Sequence, residues 1–128
     1  MDNKKFLEQL ECTGIVPVIK LENTADAVHL AKALYDGGIR CAEVTFRAVG
    51  ADKVISDMVK AYPDMLVGAG TVLTTEQVDR AVAAGCKFIV SPGLNPKIVK
   101  YCIEKGVPIT PGTSRTCCTT PSRIAATR

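Results

Sequence analysis

The residues with the clearest chemical potential lie at the end of one short apolar run, Cys41–Phe46. Glu43 and Thr45 alternate there, and Arg47 follows with the same parity, so a strand would present all three on one face. An Arg fork suits a carboxylate ligand, and a Glu in an apolar setting can transfer protons. The pattern predicts either a proton-transfer and anion-binding site or a structural Glu–Arg pair at a strand end.

A second candidate lies in the segment Gly68-Ala69-Gly70-Thr71. Glycines such as Gly70 let the backbone approach a ligand closely, and Thr71 adds a hydroxyl. The third glycine of a dinucleotide-binding fingerprint is absent. A tight strand end without a ligand is the alternative. Further along, Pro92 ends another apolar run and leaves carbonyl groups exposed there.

Lysine could supply a nucleophilic amine, and cysteine and histidine could bind a metal. Lys20 ends the first predicted strand and is the lysine expected closest to the candidate residues. We expect its amine to be solvated and charged rather than activated as a nucleophile. Six cysteines form no C-x-x-C pair, and His29 is the only histidine. We therefore expect no zinc site.

The elements that would position these residues alternate between strand and helix. Each predicted strand is followed by a helix with i, i+3, i+4, i+7 apolar spacing. Because such a helix returns the chain to the same end of the sheet, consecutive strands are expected to pair in parallel. The strands are expected over Gly14–Lys20, Cys41–Phe46, Leu66–Val72, Phe88–Ser91 and Val107–Thr110, and the helices over Thr24–Tyr35, Ala51–Ala61, Thr75–Ala84 and Pro96–Glu104. Thr24, Thr75 and Asn95 are the predicted helix N-caps. A doubly wound sheet and a partial barrel both fit this periodicity.

Composition excludes several classes of function. Residues 1–112 hold 13 basic and 13 acidic residues, so the net charge of +3 comes from Arg115, Arg123 and Arg128. This is not a distributed basic face, and aromatic residues make up only 5%, so nucleic acid is not an expected partner. No apolar run approaches a membrane span, and no signal peptide is visible, which favours a reduced, cytoplasmic, soluble protein. Residues 113–128 lose the periodicity and are predicted to form a disordered tail outside the family domain.

Taken together, the strand ends GIVPVI, AEVTFR, VGAGTVL, FIVSPGL and PITPG resemble, in order and spacing, the class I aldolase of 2-keto-3-deoxy-6-phosphogluconate (KDPG) and 4-hydroxy-2-oxoglutarate (KHG). The resemblance covers Gly14 to Gly112, about three-quarters of the chain. It implies that residues 1–112 are the N-terminal part of a (βα)₈ TIM barrel, with about five of its parallel strands and without its C-terminal part. The resemblance also implies that the full-length protein forms a homotrimer, as is usual in this family, and needs no metal or organic cofactor.

The resemblance also implies roles for individual residues. A family lysine forms a Schiff base with the 2-oxo carbon, and cleavage releases pyruvate with glyceraldehyde 3-phosphate or glyoxylate. Glu43 matches the general acid/base, Arg47 and Thr71 match residues that hold the pyruvate carboxylate, and Pro92 matches a pocket-lining residue. Gly70 falls in the same strand-end motif and is assigned to substrate binding with them.

This sequence departs from the family because the K-F-F-P-like motif that carries the Schiff-base lysine is absent. We therefore expect an aldolase fragment with little or no activity alone. One alternative is a non-catalytic 2-oxo-acid-binding or assembly module that uses Arg47 and Thr71. Another is a phosphate-binding protein on a doubly wound sheet, although no phosphate loop is visible.

Overall fold

The computed structural model describes residues 3–113, which form one parallel sheet with helices. The strands are β1 (Val18–Ile19), β2 (Cys41–Thr45), β3 (Leu66–Gly70), β4 (Phe88–Ser91) and β5 (Ile109–Pro111). The helices are α1 (Asn3–Thr13), α2 (Ala27–Asp36), α3 (Ala51–Ala61), α4 (Thr75–Ala83) and α5 (Pro96–Glu104), with a short 3₁₀ helix at Thr24–Asp26.

The strand order answers the question that periodicity left open. Every strand pairs in parallel with the next one along the chain, in the order β1-β2-β3-β4-β5. A doubly wound sheet would reverse its direction at a switch point, whereas a TIM barrel adds its strands in sequence. The predicted partial (βα)₈ barrel with five parallel strands is therefore confirmed.

The main core lies between the sheet and helices α2 to α5. Val44, Val67 and Ile89 point toward these helices from the three central strands and are at most 1% exposed. The amphipathic helices contribute their own buried side chains to this core, for example Val54 of α3 and Val78 of α4. Burial on this face orients the sheet, so the alternate strand residues must project to the other side.

Helix α1, for which the sequence shows no clear periodic pattern, covers part of that other face. Phe6 of α1 is 3% exposed and its ring centroid lies 5.3 Å from that of Phe88. Both rings pack with Cys41 and Leu66 in a second, smaller cluster. This cluster closes the amino end of the strands and leaves their carboxyl end open.

Two predicted N-caps are wrong by one residue. Asn23, not Thr24, caps the 3₁₀ helix, where its side-chain oxygen accepts a hydrogen bond from Ala25 N. At α4 the cap is Thr74 rather than Thr75, because Thr74 is the extended residue and its Oγ1 accepts from Gln77 N. A Thr-Thr pair does not reveal which residue remains extended.

The remaining helix signals agree with the structure. Asn95 caps α5 as predicted and Pro96 is its first residue. Gly85 and Gly106, the predicted stops of α4 and α5, both have left-handed backbones. Four strands differ in extent from the prediction. β1 shrinks to Val18–Ile19 and β5 is shifted to Ile109–Pro111, while β2 ends at Thr45 and β3 at Gly70, one and two residues early.

Two sequence expectations concern features beyond the sheet. None of the helices in residues 3–113 is long and apolar enough to cross a membrane. The predicted tail, 113–128, lies almost wholly outside the described residues, so the domain boundary at residue 112 stays a prediction.

Candidate functional site

The candidate site is built at the carboxyl end of β2. Cys41, Glu43 and Thr45 alternate toward the face opposite the helices. Thr45 is 1% exposed and its Oγ1 donates a hydrogen bond to the carbonyl oxygen of Ile19 at 2.9 Å. This bond ties the ends of β1 and β2 together, so Thr45 acts as support for the strand end that carries the site.

Glu43 is the ionisable group at this strand end. Its Cα lies in register with Val18 of β1 and Gly68 of β3, and its side chain is half-buried. Burial raises the pKa of the Glu43 carboxyl above its usual value, and the positive charge of Arg47 opposes that shift. A carboxyl whose pKa is raised in this way can both accept and donate a proton at moderate pH.

Arg47 is exposed in the turn that follows β2. Its charge reaches Glu43 electrostatically, but no acidic group of residues 3–113 forms a salt bridge with it within 4.0 Å. The structural Glu–Arg pair, which the sequence left open, is therefore not formed here. The guanidinium donors are available to an anion.

Thr71 follows β3 in a backbone conformation that the sequence did not predict. Its φ is 57°, the only positive value at a non-glycine residue in the described part of the chain. The residues on either side are anchored: Gly70 O accepts from Phe46 N at 2.8 Å, and Val72 N donates to Val90 O at 3.2 Å. A β-branched residue held left-handed in this way is strained, and such strain is concentrated at functional sites.

The sheet brings four of the five predicted site residues to adjacent strand ends. Glu43 and Arg47 belong to β2 and the turn after it, while Gly70 and Thr71 belong to the end of β3, and Thr45 is in register with Gly70. Pro92 lies one strand further on, after β4, so about 10 Å separates its strand from β2. Pro92 is exposed, and its carbonyl oxygen packs against Gly112.

All ten lysines fall within the described residues, so the position of each amine is known. Lys20 follows β1 at the carboxyl end of the sheet, where its Nζ lies 2.7 Å from Glu22 Oε1. The other nine lie on or next to the helices or before β4. Lys20 is thus the lysine that directly follows a strand at this end of the sheet, and it already has a counter-ion.

Thiol and metal chemistry find no support in the described residues. Burial raises the pKa of Cys41 and Cys102 to about 11 and that of Cys86 to about 12, which keeps all three thiols protonated at neutral pH. Across residues 3–113, no group of three or more His, Cys, Asp or Glu side chains is placed to hold a metal ion.

Known proteins share both the sequence and the fold. A family model described as "KDPG and KHG aldolase" matches residues 7–124. The "2-dehydro-3-deoxy-phosphogluconate aldolase" of Treponema pallidum (strain Nichols) is 53% identical over 107 residues, which cover 84% of this chain and 51% of the relative. That of Haemophilus influenzae is 48% identical over 109 residues, 85% of this chain and 51% of the relative. The chain thus spans about half the length of the curated relatives it matches.

A solved structure agrees in fold. The KDPG aldolase from Legionella pneumophila, described "with pyruvate captured at low pH as a covalent carbinolamine intermediate", superposes with a TM-score of 0.75 at 39% identity. The match covers 79% of this chain and 49% of that one. Since the family model covers most of the chain and the sequential parallel sheet is that of a partial barrel, this chain belongs to the KDPG and KHG aldolase family.

Proposed function

We propose that the chain carries the pyruvate-binding part of a Schiff-base aldolase site. The reaction is cleavage of KDPG to pyruvate and glyceraldehyde 3-phosphate, or of KHG to pyruvate and glyoxylate. The observation that carries the proposal is the convergence of a half-buried Glu43, an unpaired Arg47 and the strained Thr71 on two neighbouring strand ends.

Glu43 would move the protons of this reaction. An amine that attacks the 2-oxo carbon forms a carbinolamine, which must lose water to become an iminium ion. Cleavage of the carbon–carbon bond then needs a base to take the proton of the C4 hydroxyl, while the iminium accepts the electron pair. The resulting enamine must be protonated at C3, and a carboxyl with a raised pKa can supply that proton.

Arg47 and Thr71 would hold the carboxylate that pyruvate and both substrates share. The Arg47 fork can make two parallel charge-assisted hydrogen bonds to a carboxylate. Thr71 directly follows Gly70, which is in register with Thr45 at the end of β2, and its hydroxyl and backbone would supply the second contact. Orientation of the carboxylate fixes the position of the adjacent 2-oxo carbon, so these contacts would set the point of attack.

The amine is the part that this chain does not offer. Lys20 is ion-paired with Glu22, and the remaining lysines belong to the helices or to the opposite end of the sheet. We therefore propose that the chain alone forms no Schiff base and has little or no aldolase activity, since a covalent catalyst accounts for a large part of the rate.

The test combines trapping with binding. The purified chain is incubated with pyruvate and borohydride, and intact mass then reports any reduced adduct. Pyruvate binding is followed in parallel by calorimetry and by NMR of the Arg47 and Thr71 signals. We expect binding without an adduct; an adduct on any lysine of this chain would overturn the inactivity proposal.

A matched pair of arginine variants tests whether pyruvate binding depends on Arg47 in particular. Arg47 follows β2 and Arg40 precedes it, so the two guanidinium groups lie at opposite ends of one strand. Arg47→Lys should abolish the pyruvate response because Lys cannot make the bidentate contact. Arg40→Lys, whose partner is Asp64, should leave the response unchanged.

The exposed, unpaired Arg47 also favours a second candidate, a non-catalytic 2-oxo-acid-binding or assembly module. The two functions differ in what they require of Glu43. In an aldolase site bound pyruvate lies against Glu43 and should shift the titration of that carboxyl, whereas a simple binding module would leave it unchanged. Absence of any pyruvate response would count against both.

A further inference from the structure

The carboxyl of Glu43 occupies the space that a side chain at position 70 would fill. A β-carbon placed on Gly70 would lie 1.9 Å from Glu43 Oε1, 2.6 Å from its Cδ and 2.7 Å from its Cγ. Real β-carbons do not approach other atoms so closely. Any other residue at this position would therefore have to displace the Glu43 side chain.

The direction in which Glu43 leans follows from its neighbours on β3. Its register partner is Gly68, but the ring of Phe88 covers that glycine, 2.3 Å from where a β-carbon would be. The side chain instead lies over Gly70, two residues closer to the carboxyl end of the sheet. Phe88 thus fills the space over Gly68, and Gly70 leaves the space next to it free for the Glu43 carboxyl.

The backbone of Gly70 does not itself require glycine. Gly70 is the last residue of β3 and is buried, and its carbonyl oxygen accepts a hydrogen bond from Phe46 N. Its φ is not positive, and the left-handed residue at this turn is Thr71. Space for the Glu43 carboxyl is the structural reason for glycine here.

We propose that Gly70 is a positioning residue whose missing β-carbon forms the slot that holds the Glu43 carboxyl at the open end of the sheet. The sequence-based prediction assigned Gly70 to close approach of substrate, whereas the slot assigns it to close approach of Glu43. The slot stands on geometry alone; its consequence for catalysis rests on the proposed function. Arg47 and Cys41 are the charged and titratable groups that interact with Glu43 there.

A double-mutant cycle tests the slot without pyruvate. Gly70→Ala, Glu43→Ala and the double variant are compared by urea denaturation. In the presence of Glu43 the added methyl should raise the unfolding equilibrium constant about several-fold, because the Glu43 side chain must leave the slot. In the Glu43→Ala background this loss should vanish. Equal losses in both backgrounds would overturn the proposal.

The titration of Glu43 provides a readout that a general packing defect would not change. Glu43→Gln identifies the side-chain carboxyl signal in carbon-detected NMR. In Gly70→Ala the carboxyl should move toward solvent, so its pKa should fall toward that of an exposed glutamate. Gly93→Ala is the matched control, because a β-carbon at Gly93 meets nothing within 4 Å. An unchanged Glu43 titration in Gly70→Ala would refute the slot.

The cycle remains informative when the single variant fails to fold. If Gly70→Ala is unfolded while Gly70→Ala/Glu43→Ala is folded, the clash is demonstrated directly. If both are unfolded, Glu43 is not the obstacle and the proposal fails. If the cycle shows coupling but pyruvate shifts no signal, the slot stands and the proposed aldolase function fails.

Discussion

The left-handed backbone at Thr71 leads to a prediction that can be worked out from the structure. Substitution by Ala or Gly removes the same hydroxyl and methyl contacts, but only Gly adopts a φ of 57° without strain. A left-handed conformation costs a non-glycine residue about 1–2 kcal/mol. Glycine also makes the unfolded chain more flexible than alanine does, and this offsets about 0.4–1 kcal/mol of the strain that it relieves. Thr71→Gly should therefore be more stable than Thr71→Ala by about 0.5–1 kcal/mol.

Urea denaturation is the assay for this difference. With a slope of about 1–3 kcal/mol per molar urea, the midpoint of Thr71→Gly should lie about 0.2–1 M above that of Thr71→Ala. The control pair is Ala33 and Ala33→Gly on the exposed side of α2, where glycine should destabilise by about 0.5–1 kcal/mol. The two sites thus predict opposite signs for the same chemical change.

The outcome also bears on function. Both Thr71 variants lack the hydroxyl, so both should weaken the pyruvate response equally if the hydroxyl binds the carboxylate. A Thr71→Ala protein at least as stable as Thr71→Gly would refute the strain. A pyruvate response that survives in Thr71→Gly but not in Thr71→Ala would instead show that the left-handed backbone, not the hydroxyl, makes the contact.

Three further predictions concern pH, the amino-terminal helix and assembly. Because burial raises the pKa of Glu43, the folded state disfavours its ionised form. The contribution of Glu43 to stability is therefore fully present below the ordinary glutamate pKa and is lost as pH rises through the raised value. Glu43→Gln should lack this fall and be more stable than the parent at pH 7 by calorimetry; a variant less stable at pH 7 would contradict the burial argument. Phe6→Ala should cost about 3–5 kcal/mol because it removes the ring that packs on Phe88, whereas Phe6→Leu should cost about 1.5 kcal/mol or less; similar losses for both would mean that α1 is held by other contacts. The exposed edges of β1 and β5 should make the chain self-associate or aggregate in sedimentation velocity, and a monomeric species with one cooperative melt would count against this prediction.

Much of the fold could be read from local patterns. The 3.6-residue apolar spacing in Ala51–Ala61, the apolar run at Cys41–Thr45 and the Asn95-Pro96 start of α5 each depend on residues a few positions apart. Parallel pairing followed from the alternation of strands and helices. The choice of a barrel over a doubly wound sheet came from the resemblance and was confirmed by the strand order.

Helix α1 shows where local patterns were insufficient. Its first turns are polar, and its apolar contact with the sheet depends mainly on Phe6 and Leu10, too few residues to define a periodic face. The surface that accepts Phe6 is made by Cys41, Leu66 and Phe88, which come from three different strands. Such a surface exists only after the sheet has formed.

The sequence by itself determined which residues end each strand, and so which chemical groups could meet: the carboxyl of Glu43, the guanidinium of Arg47 and the hydroxyl of Thr71. Only the tertiary structure decided that Glu43 and Arg47 form no salt bridge, that Thr71 is left-handed and that Gly70 makes room for Glu43. The physical reason is that the Thr71 backbone is held by bonds from its neighbours to β2 and β4, and that the position of the Glu43 side chain depends on the register of β2 against β3 and on the ring of Phe88. Those partners lie more than 20 residues from Glu43 along the chain, beyond the reach of any local pattern.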